Sequence, residues 1–210
     1  DNQTIDITAT GFLRAGTNGF RDDGFKASSP LQIEGTGSVV TNFGTIIADL
    51  NPFTGEKVAF TNGTTLGFEA LGVDLDAVLT AEMINGGSIV GNVYFGAGDD
   101  RYIAKGDGFV DGVIDMGRDD DKFVGGSEND NALGNRGKDN MRGKQGDDDL
   151  SGGRGADILR GGRGDDNLSG GSDADVLRGG EGADSMEGGA ENDVIAGNAG
   201  NDTLHGNDGE

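Results

Sequence analysis

The sequence predicts an all-β molecule, a parallel β-solenoid whose C-terminal half is built from half-coils nine residues long. Three observations predict it. A nine-residue rhythm runs without a slip from Met116 to the end of the chain, and a 21-residue rhythm of whole coils precedes it between Gly87 and Phe123. The composition, with 43 glycines, two prolines and 33% apolar residues among 210, is too polar for an ordinary globular core of this length. Stripped of its order, such a composition reads as a disordered acidic tail, because so little apolar surface does not offset the entropy of folding. The periodicity overturns that reading.

Residues 1–86 form a β-rich N-terminal segment. GSVVTNFGTIIADL from Gly37, and the stretches around Ile5 and Val58, mix β-branched residues with Asn and Gly, as strands and their turns do. They fit further solenoid or a β-sandwich. Asn51-Pro52 marks a loop. From Val73 the apolar residues Val73, Leu75, Val78, Leu79, Met83 and Ile84 are spaced as in one short helix near 73–84, a cap for a sheet edge. Asp74 and Asp76 imitate the start of an EF-hand loop, but the glycine and terminal glutamate of that loop do not follow, so they read as ordinary loop or helix-start acids.

Residues 87–210 form the solenoid proper. GSIVGNVYFGAGDDRY from Gly87 and GFVDGVIDMGRDDDKF from Gly108 align at an offset of 21, matching Ile89 with Val110, Val93 with Ile114, Asp100 with Asp121 and Tyr102 with Phe123. Each is one coil. Within the first, FGAGDDRYI already has the form of a nine-residue block with Asp100 in sixth place, so an ion-binding half-site is expected to begin there.

From Met116 the regular blocks read MGRDDDKFV, GGSENDNAL, GNRGKDNMR, GKQGDDDLS, GGRGADILR, GGRGDDNLS, GGSDADVLR, GGEGADSME, GGAENDVIA and GNAGNDTLH. Sixth place is aspartate every time: Asp121, Asp130, Asp139, Asp148, Asp157, Asp166, Asp175, Asp184, Asp193 and Asp202. Eighth place is apolar every time, from Phe123 and Ala132 to Ile195 and Leu204. A last block stops at Glu210, one residue short of the next aspartate, from which we expect further repeats beyond it.

Glycine at the first, second and fourth places is expected to supply the positive φ of a tight turn, and the residues around eighth place a short strand with one side chain inward. Two blocks then make an 18-residue coil, and coils stacked at roughly 4.8 Å make ten blocks a rod of about five coils. Sixth-place carboxylates of blocks two apart fall on adjacent rungs and repel unless a cation lies between them. Oxygen-only donors on flexible glycine turns suit six- or higher-coordinate Ca²⁺ better than Mg²⁺, which holds its water and demands a stricter octahedron. Fourth place departs from glycine at Asp119, Glu128, Asp173 and Glu191, and second place at Asn135, Lys144, Asn198 and Asn207. Asn tolerates left-handed geometry and Lys does so poorly, so the site beside Lys144 is expected to be the weakest.

A tandem array of this form resembles the repeats-in-toxin (RTX) calcium-binding nonapeptide repeats of Gram-negative bacteria. The resemblance covers about the last 90 residues. It implies a calcium-binding β-roll and secretion by a type I route to the extracellular space or cell surface; ten loops pairing with those two blocks on give about eight Ca²⁺ sites through the aspartate column. Calcium modules of the extracellular kind bind at about 10⁻⁴–10⁻³ M, so such a chain stays unfolded for export and orders outside.

The charge agrees. A formal net charge of -22 divides into -7 over residues 1–94 and -15 over 95–210, which opposes nucleic acid and anionic membrane and favours cations. No apolar run approaches the roughly 18 residues of a membrane-spanning helix. The absence of cysteine excludes disulfides and thiolate metal sites. His205, in an outward ninth place, reads as a solvated side chain, and no nucleophile with a partnered base is present, so no enzymatic activity is expected. Arg118, Arg136, Arg154 and Arg163 in third place, with Arg142, Arg160 and Arg178 in ninth, read as a solubilising face, or as a stripe for an acidic surface glycan. The function expected is that of a structural or adhesive surface, matrix or filament protein that folds on calcium and self-associates end to end. The alternative is a calcium-dependent folding and secretion module of a larger RTX toxin or secreted hydrolase.

Overall fold

The computed structural model describes residues 81–209, together with six upstream strands: β1 (Thr4–Ile7), β2 (Phe12–Leu13), β3 (Leu31–Ile33), β4 (Ser38–Asn42), β5 (Thr45–Ile47) and β6 (Val58–Asn62). Among the described residues every strand pairing is parallel, and the chain winds through about seven turns of a solenoid between residues 82 and 208.

The first two of these turns have three faces. One carries β7 (Ala81–Asn85), β8 (Ser88–Val90) and β9 (Asn92–Tyr94); the next carries β10 (Arg101–Ala104), β11 (Phe109–Asp111) and β12 (Ile114–Asp115). Tyr102 lies in register with Met83, Val110 with Ile89 and Ile114 with Val93, and all six side chains point inward and are buried. The 21-residue offset is thus one full coil. A triangular section needs bulk at its centre, which Phe95, Tyr102, Met116 and Phe123 supply; the rings of Tyr102 and Phe123 stack with centroids 5.4 Å apart. The fully buried Asn85 closes the corner between β7 and β8: its amide donates to Tyr102 Oη and to the Phe109 carbonyl, both at 3.1 Å, while its Oδ1 accepts from Gly87 N at 3.2 Å.

The third face ends at β11, the outermost strand of a four-stranded sheet ordered β11-β8-β5-β2. From there each coil is 18 residues and has two faces. One face continues through β13 (Lys122–Val124), β15 (Asn140–Gln145), β17 (Ile158–Arg163), β19 (Val176–Glu181) and β21 (Val194–Ala199). The other continues through β14 (Asn131–Arg136), β16 (Asp149–Arg154), β18 (Asn167–Ser172), β20 (Ser185–Ala190) and β22 (Thr203–Asp208). Three residues fewer per coil leave no length for a third strand.

From β14 onward these strands are longer than expected, six residues from seventh place through third place of the next block. Two positions in each point inward: the apolar eighth place and the first-place glycine. Leu150 aligns with Leu168 and Leu159 with Leu177, so each inner half-coil, through Met186, adds one buried side chain to a continuous column. Each contributes roughly 1.5–3 kcal/mol.

Upstream, β4 pairs in parallel with β7, β5 with β8 and β6 with β9, in the registers Val40 to Met83, Ile46 to Ile89 and Phe60 to Val93. That is solenoid pairing; a sandwich joins antiparallel sheets. The helix expected near 73–84 is corrected over its last residues: Ala81–Asn85 is strand β7. Met83 is buried between half-buried Glu82 and Ile84, the two-residue period of a strand, and its apolar match to a helical spacing came from neighbours at 73–80, which lie outside the described residues.

Candidate metal centre

The aspartates predicted as ligands stack into two ladders, one at each edge of the roll. The first contains Asp100, Asp121, Asp139, Asp157, Asp175 and Asp193; the second contains Asp130, Asp148, Asp166, Asp184 and Asp202. In both, the backbone N–H of one aspartate donates to Oδ1 of the aspartate one coil later. These distances are 2.7 Å for Asp100 to Asp121, 2.8 Å for Asp121 to Asp139 and 2.8 Å for Asp139 to Asp157. In the second ladder they are 2.9 Å for Asp130 to Asp148, 2.9 Å for Asp148 to Asp166 and 3.1 Å for Asp184 to Asp202.

One oxygen of each carboxylate is therefore committed and the other is not. Among the described residues, ten buried side-chain oxygens have no hydrogen-bond partner, and all are aspartate: Oδ2 of Asp100, Asp121, Asp139, Asp148, Asp157, Asp166, Asp175, Asp184 and Asp193, and Oδ1 of Asp130. A buried carboxylate oxygen without a partner is costly. Asp202, on the outermost coil, is half-exposed.

The first-place glycines explain where these oxygens point. A Cβ on Gly161 would strike Oδ2 of Asp166, and a Cβ on Gly134 would strike Oδ2 of Asp139 while lying 2.7 Å from the carbonyl oxygen of Gly152. The free carboxylate oxygen and a first-place carbonyl of the next coil thus converge on the space that a side chain would fill. This corrects the expected role of first-place glycine. Positive φ belongs to second and fourth places, as at Gly162 (135°) and Gly164 (117°); first place is glycine to make room for the carboxylate.

Two supporting sets of residues carried no expectation. Fifth-place acids and amides accept from the fifth-place N–H one coil later: Asp120 from Lys138, Asn129 from Asp147, and Asp147 from Asp165, at 2.8 to 2.9 Å. Fourth-place Asp119 and Asp173 accept from Gly98 N at 3.0 Å and Gly155 N at 3.1 Å. These departures from glycine hold the turns together while adopting φ of 79° and 75°. The signal was the frequency of Asp and Asn in fifth place, outside the glycine-and-aspartate consensus.

Electrostatics makes the columns demand a cation. Removal from water pushes the carboxyl groups up, to about 10 at Asp121, about 8 at Asp148, about 7 at Asp157 and about 6 at Asp130, Asp139, Asp166 and Asp175, with Asp184 also raised. The donated amides pull the other way. Neighbouring carboxylates of the same ladder add to the rise at Asp121, Asp148 and Asp157. A divalent ion between rungs favours the ionised form and supplies the missing partner of each free oxygen.

The residues fit such an ion. The candidate donors are oxygens, from carboxylates and backbone carbonyls, as a hard cation prefers. Among the described residues no three His, Cys, Asp or Glu side chains gather into one cluster, so an ion would be shared by single carboxylates of successive rungs and by backbone carbonyls. Exposed His205 lies apart from both ladders.

Comparison with known proteins gives one family. The RTX calcium-binding nonapeptide repeat matches in four copies, at residues 117–150, 142–177, 151–186 and 178–210. No curated protein and no solved structure matches the chain. The repeats imply Ca²⁺ as the ion, and the matched segments take in ten of the eleven aspartates of the two ladders, from Asp121 to Asp202. Residues 117–210 are RTX calcium-binding nonapeptide repeats.

Proposed function

We propose that the chain is a secreted structural or adhesive protein of a surface, matrix or filament, which folds when it binds extracellular calcium and then associates end to end. The observation that carries the calcium-coupled part is the set of ten buried, partnerless carboxylate oxygens. A fold that strands so many acceptors is poorly stable alone, and an ion that binds only the folded form stabilises it by mass action. On this reading about eight ions bind, one between each pair of like loops. RTX repeat proteins are typically secreted, and millimolar extracellular calcium is the range that such sites require. The chemistry is ion binding, with no catalytic step.

Support for end-to-end association comes from the last coil, where eighth-place Leu204 is 47% exposed although its counterparts in inner coils, such as Leu168 and Met186, are buried. A further coil, or a second copy, buries it. The same exposure also favours the reading of these residues as the calcium-dependent folding and secretion module of a larger toxin or hydrolase.

Titration of the full chain with calcium, followed by far-UV circular dichroism and light scattering together, tests this. The expected result is a cooperative gain of β signal at millimolar calcium or below, then growth in particle size. A spectrum indifferent to chelator overturns calcium-coupled folding. Particles that stay monomeric at saturating calcium and high concentration leave the module reading in place of the filament.

A further inference from the structure

The two faces of the roll differ in charge. From β7 onward, the strands of one sheet, β7, β10, β13, β15, β17, β19 and β21, carry seven Lys and Arg residues and two acids, Glu82 and Glu181. The strands opposite, β9, β12, β14, β16, β18, β20 and β22, carry two arginines and four acids. A basic face stands out in a chain of formal net charge -22. Both of its acids are already paired: Glu82 Oε1 lies 3.1 Å from Arg101 Nη1, and Glu181 Oε2 lies 3.4 Å from Arg163 Nε.

The remaining charge is ordered. Arg142 stands in register with Arg160, and Arg160 with Arg178, in ninth place of three successive coils. Arg142 and Arg178 are exposed and Arg160 is half-buried. Arg160 Nη1 donates to the neutral Oδ1 of Asn140 at 3.3 Å, and among the described residues no carboxylate pairs with any of the three. Like charges in register on adjacent strands destabilise a sheet, so this column works against the fold that bears it. Two residues away along each strand, and therefore also outward, Ile158, Val176 and Val194 form an apolar column in seventh place, with Val194 61% exposed.

The strip is narrow. Exposed Asp147 and Asp165 line one edge of the roll, and exposed Asp120 and Asp173 the other. A membrane plane or a nucleic-acid duplex laid on this face is wide enough to meet those acids, which repel it. A single slender chain lying along the axis is not. Carboxylates on such a chain suit the planar, two-pronged guanidinium, and the C–H faces of sugar rings suit the apolar column. Rungs repeat at about 4.8 Å, close to the length of one pyranose ring, so the groups of a sugar chain recur in step with the coils.

We propose that the column of Arg142, Arg160 and Arg178, with the apolar column beside it, binds a linear polysaccharide bearing carboxylates, laid along the solenoid axis. This names the partner of the adhesive reading above and rests on it. Calcium in the ladders offsets the net charge of -15 over residues 95–210, so the ion both orders the strip and lifts the repulsion an anion meets.

Isothermal titration calorimetry of the full chain with a hexamer of galacturonate, at saturating calcium, tests the assignment, with the methyl ester of the hexamer as uncharged control. The wild type is expected to bind the hexamer and not the ester. Arg160→Gln with Arg178→Gln is expected to weaken binding about tenfold or more. Arg136→Gln with Arg154→Gln removes equal charge from the opposite face and is expected to change binding less than about twofold. Both pairs are expected to keep the wild-type calcium midpoint by circular dichroism, which separates a lost strip from a lost fold. Equal weakening in the two pairs, or no binding by the wild type, overturns the proposal. So does capture of the chain by phosphatidylserine vesicles, or its self-association, through Arg160 and Arg178 while the hexamer stays unbound. A chain whose β signal ignores calcium overturns instead the reading on which the proposal rests.

Discussion

At the scale of the residue, each sixth-place aspartate has two unlike oxygens. One, Oδ1 along the inner rungs, is an ordinary acceptor of a backbone amide; the other, Oδ2 except at Asp130, stands where an ion ligand would. This separates two effects of one substitution. Asp157→Asn keeps an acceptor for Asp139 N but removes the charge, and at saturating calcium it should cost about 2–4 kcal/mol, because one buried ionic arrangement loses a partner. In chelator the sign should shift toward stabilisation, since Asp139 and Asp175 lose a like-charged neighbour. Urea melts at both conditions check this; equal destabilisation in the two would contradict it. Gly161→Ala should cost about 1–3 kcal/mol by crowding Oδ2 of Asp166, and Asn198→Gly less than about 1 kcal/mol, because Asn198 already stands at φ 74°. Calcium midpoints of the two variants give the comparison. The sixth and eighth columns were legible because one residue class recurs at each block. First-place glycine was misread because glycine serves both dihedral freedom and space, and the sequence does not say which.

At the scale of the element, stability depends on whether a strand has a coil on each side of it. Leu159 is fully buried between Met141 and Leu177, so Leu159→Ala should cost about 2–5 kcal/mol at saturating calcium. Leu204 occupies the same place in the repeat but is 47% exposed, so Leu204→Ala should cost less than about 1 kcal/mol in the monomer. Thermal melts of the two variants measure the difference, and equal losses would show that the last coil is covered. The parallel half-coils were readable from a period of nine because each contains a complete turn and strand. The helix expected near 73–84 went wrong at Ala81–Asn85 because six apolar residues in twelve satisfy a helical spacing and a strand alternation alike, and β7 is decided by its partners β4 and β10, which are distant in sequence. The end of the third face was foreshadowed only by the change of period from 21 to 18.

At the scale of the molecule, charge governs folding. The carboxyl groups of Asp121, Asp130, Asp139, Asp148, Asp157, Asp166 and Asp175 rise on folding without metal to between about 6 and about 10. Between the unfolded value of 3.8 and those values, the folded form binds more protons than the unfolded one. Stability of the metal-free fold should therefore fall as pH rises from about 4 through 6 to 8, and grow on acidification, the reverse of ordinary acid unfolding. In chelator, β signal should increase as pH is lowered from 8 toward 4.5, by protons filling in for calcium; a flat or falling signal would contradict it. The net charge of -22 announced a need for cations. Its distribution into two ladders needed the coil geometry.

The amide clasp between rungs also gives the rod an arrow. Along each ladder the donor sits on the earlier coil and the acceptor on the later one, from Asp100 through Asp193 and from Asp130 through Asp202. The early end at Asp100 is covered by the coil of β7–β9, so only the late end, at Asp193 and Asp202, is open to extend the clasp. Two copies meeting there tail to tail would set like groups against each other; any lengthening of the column would thereby be polar, adding units in one orientation, as a heterologous contact does and a symmetric pair does not.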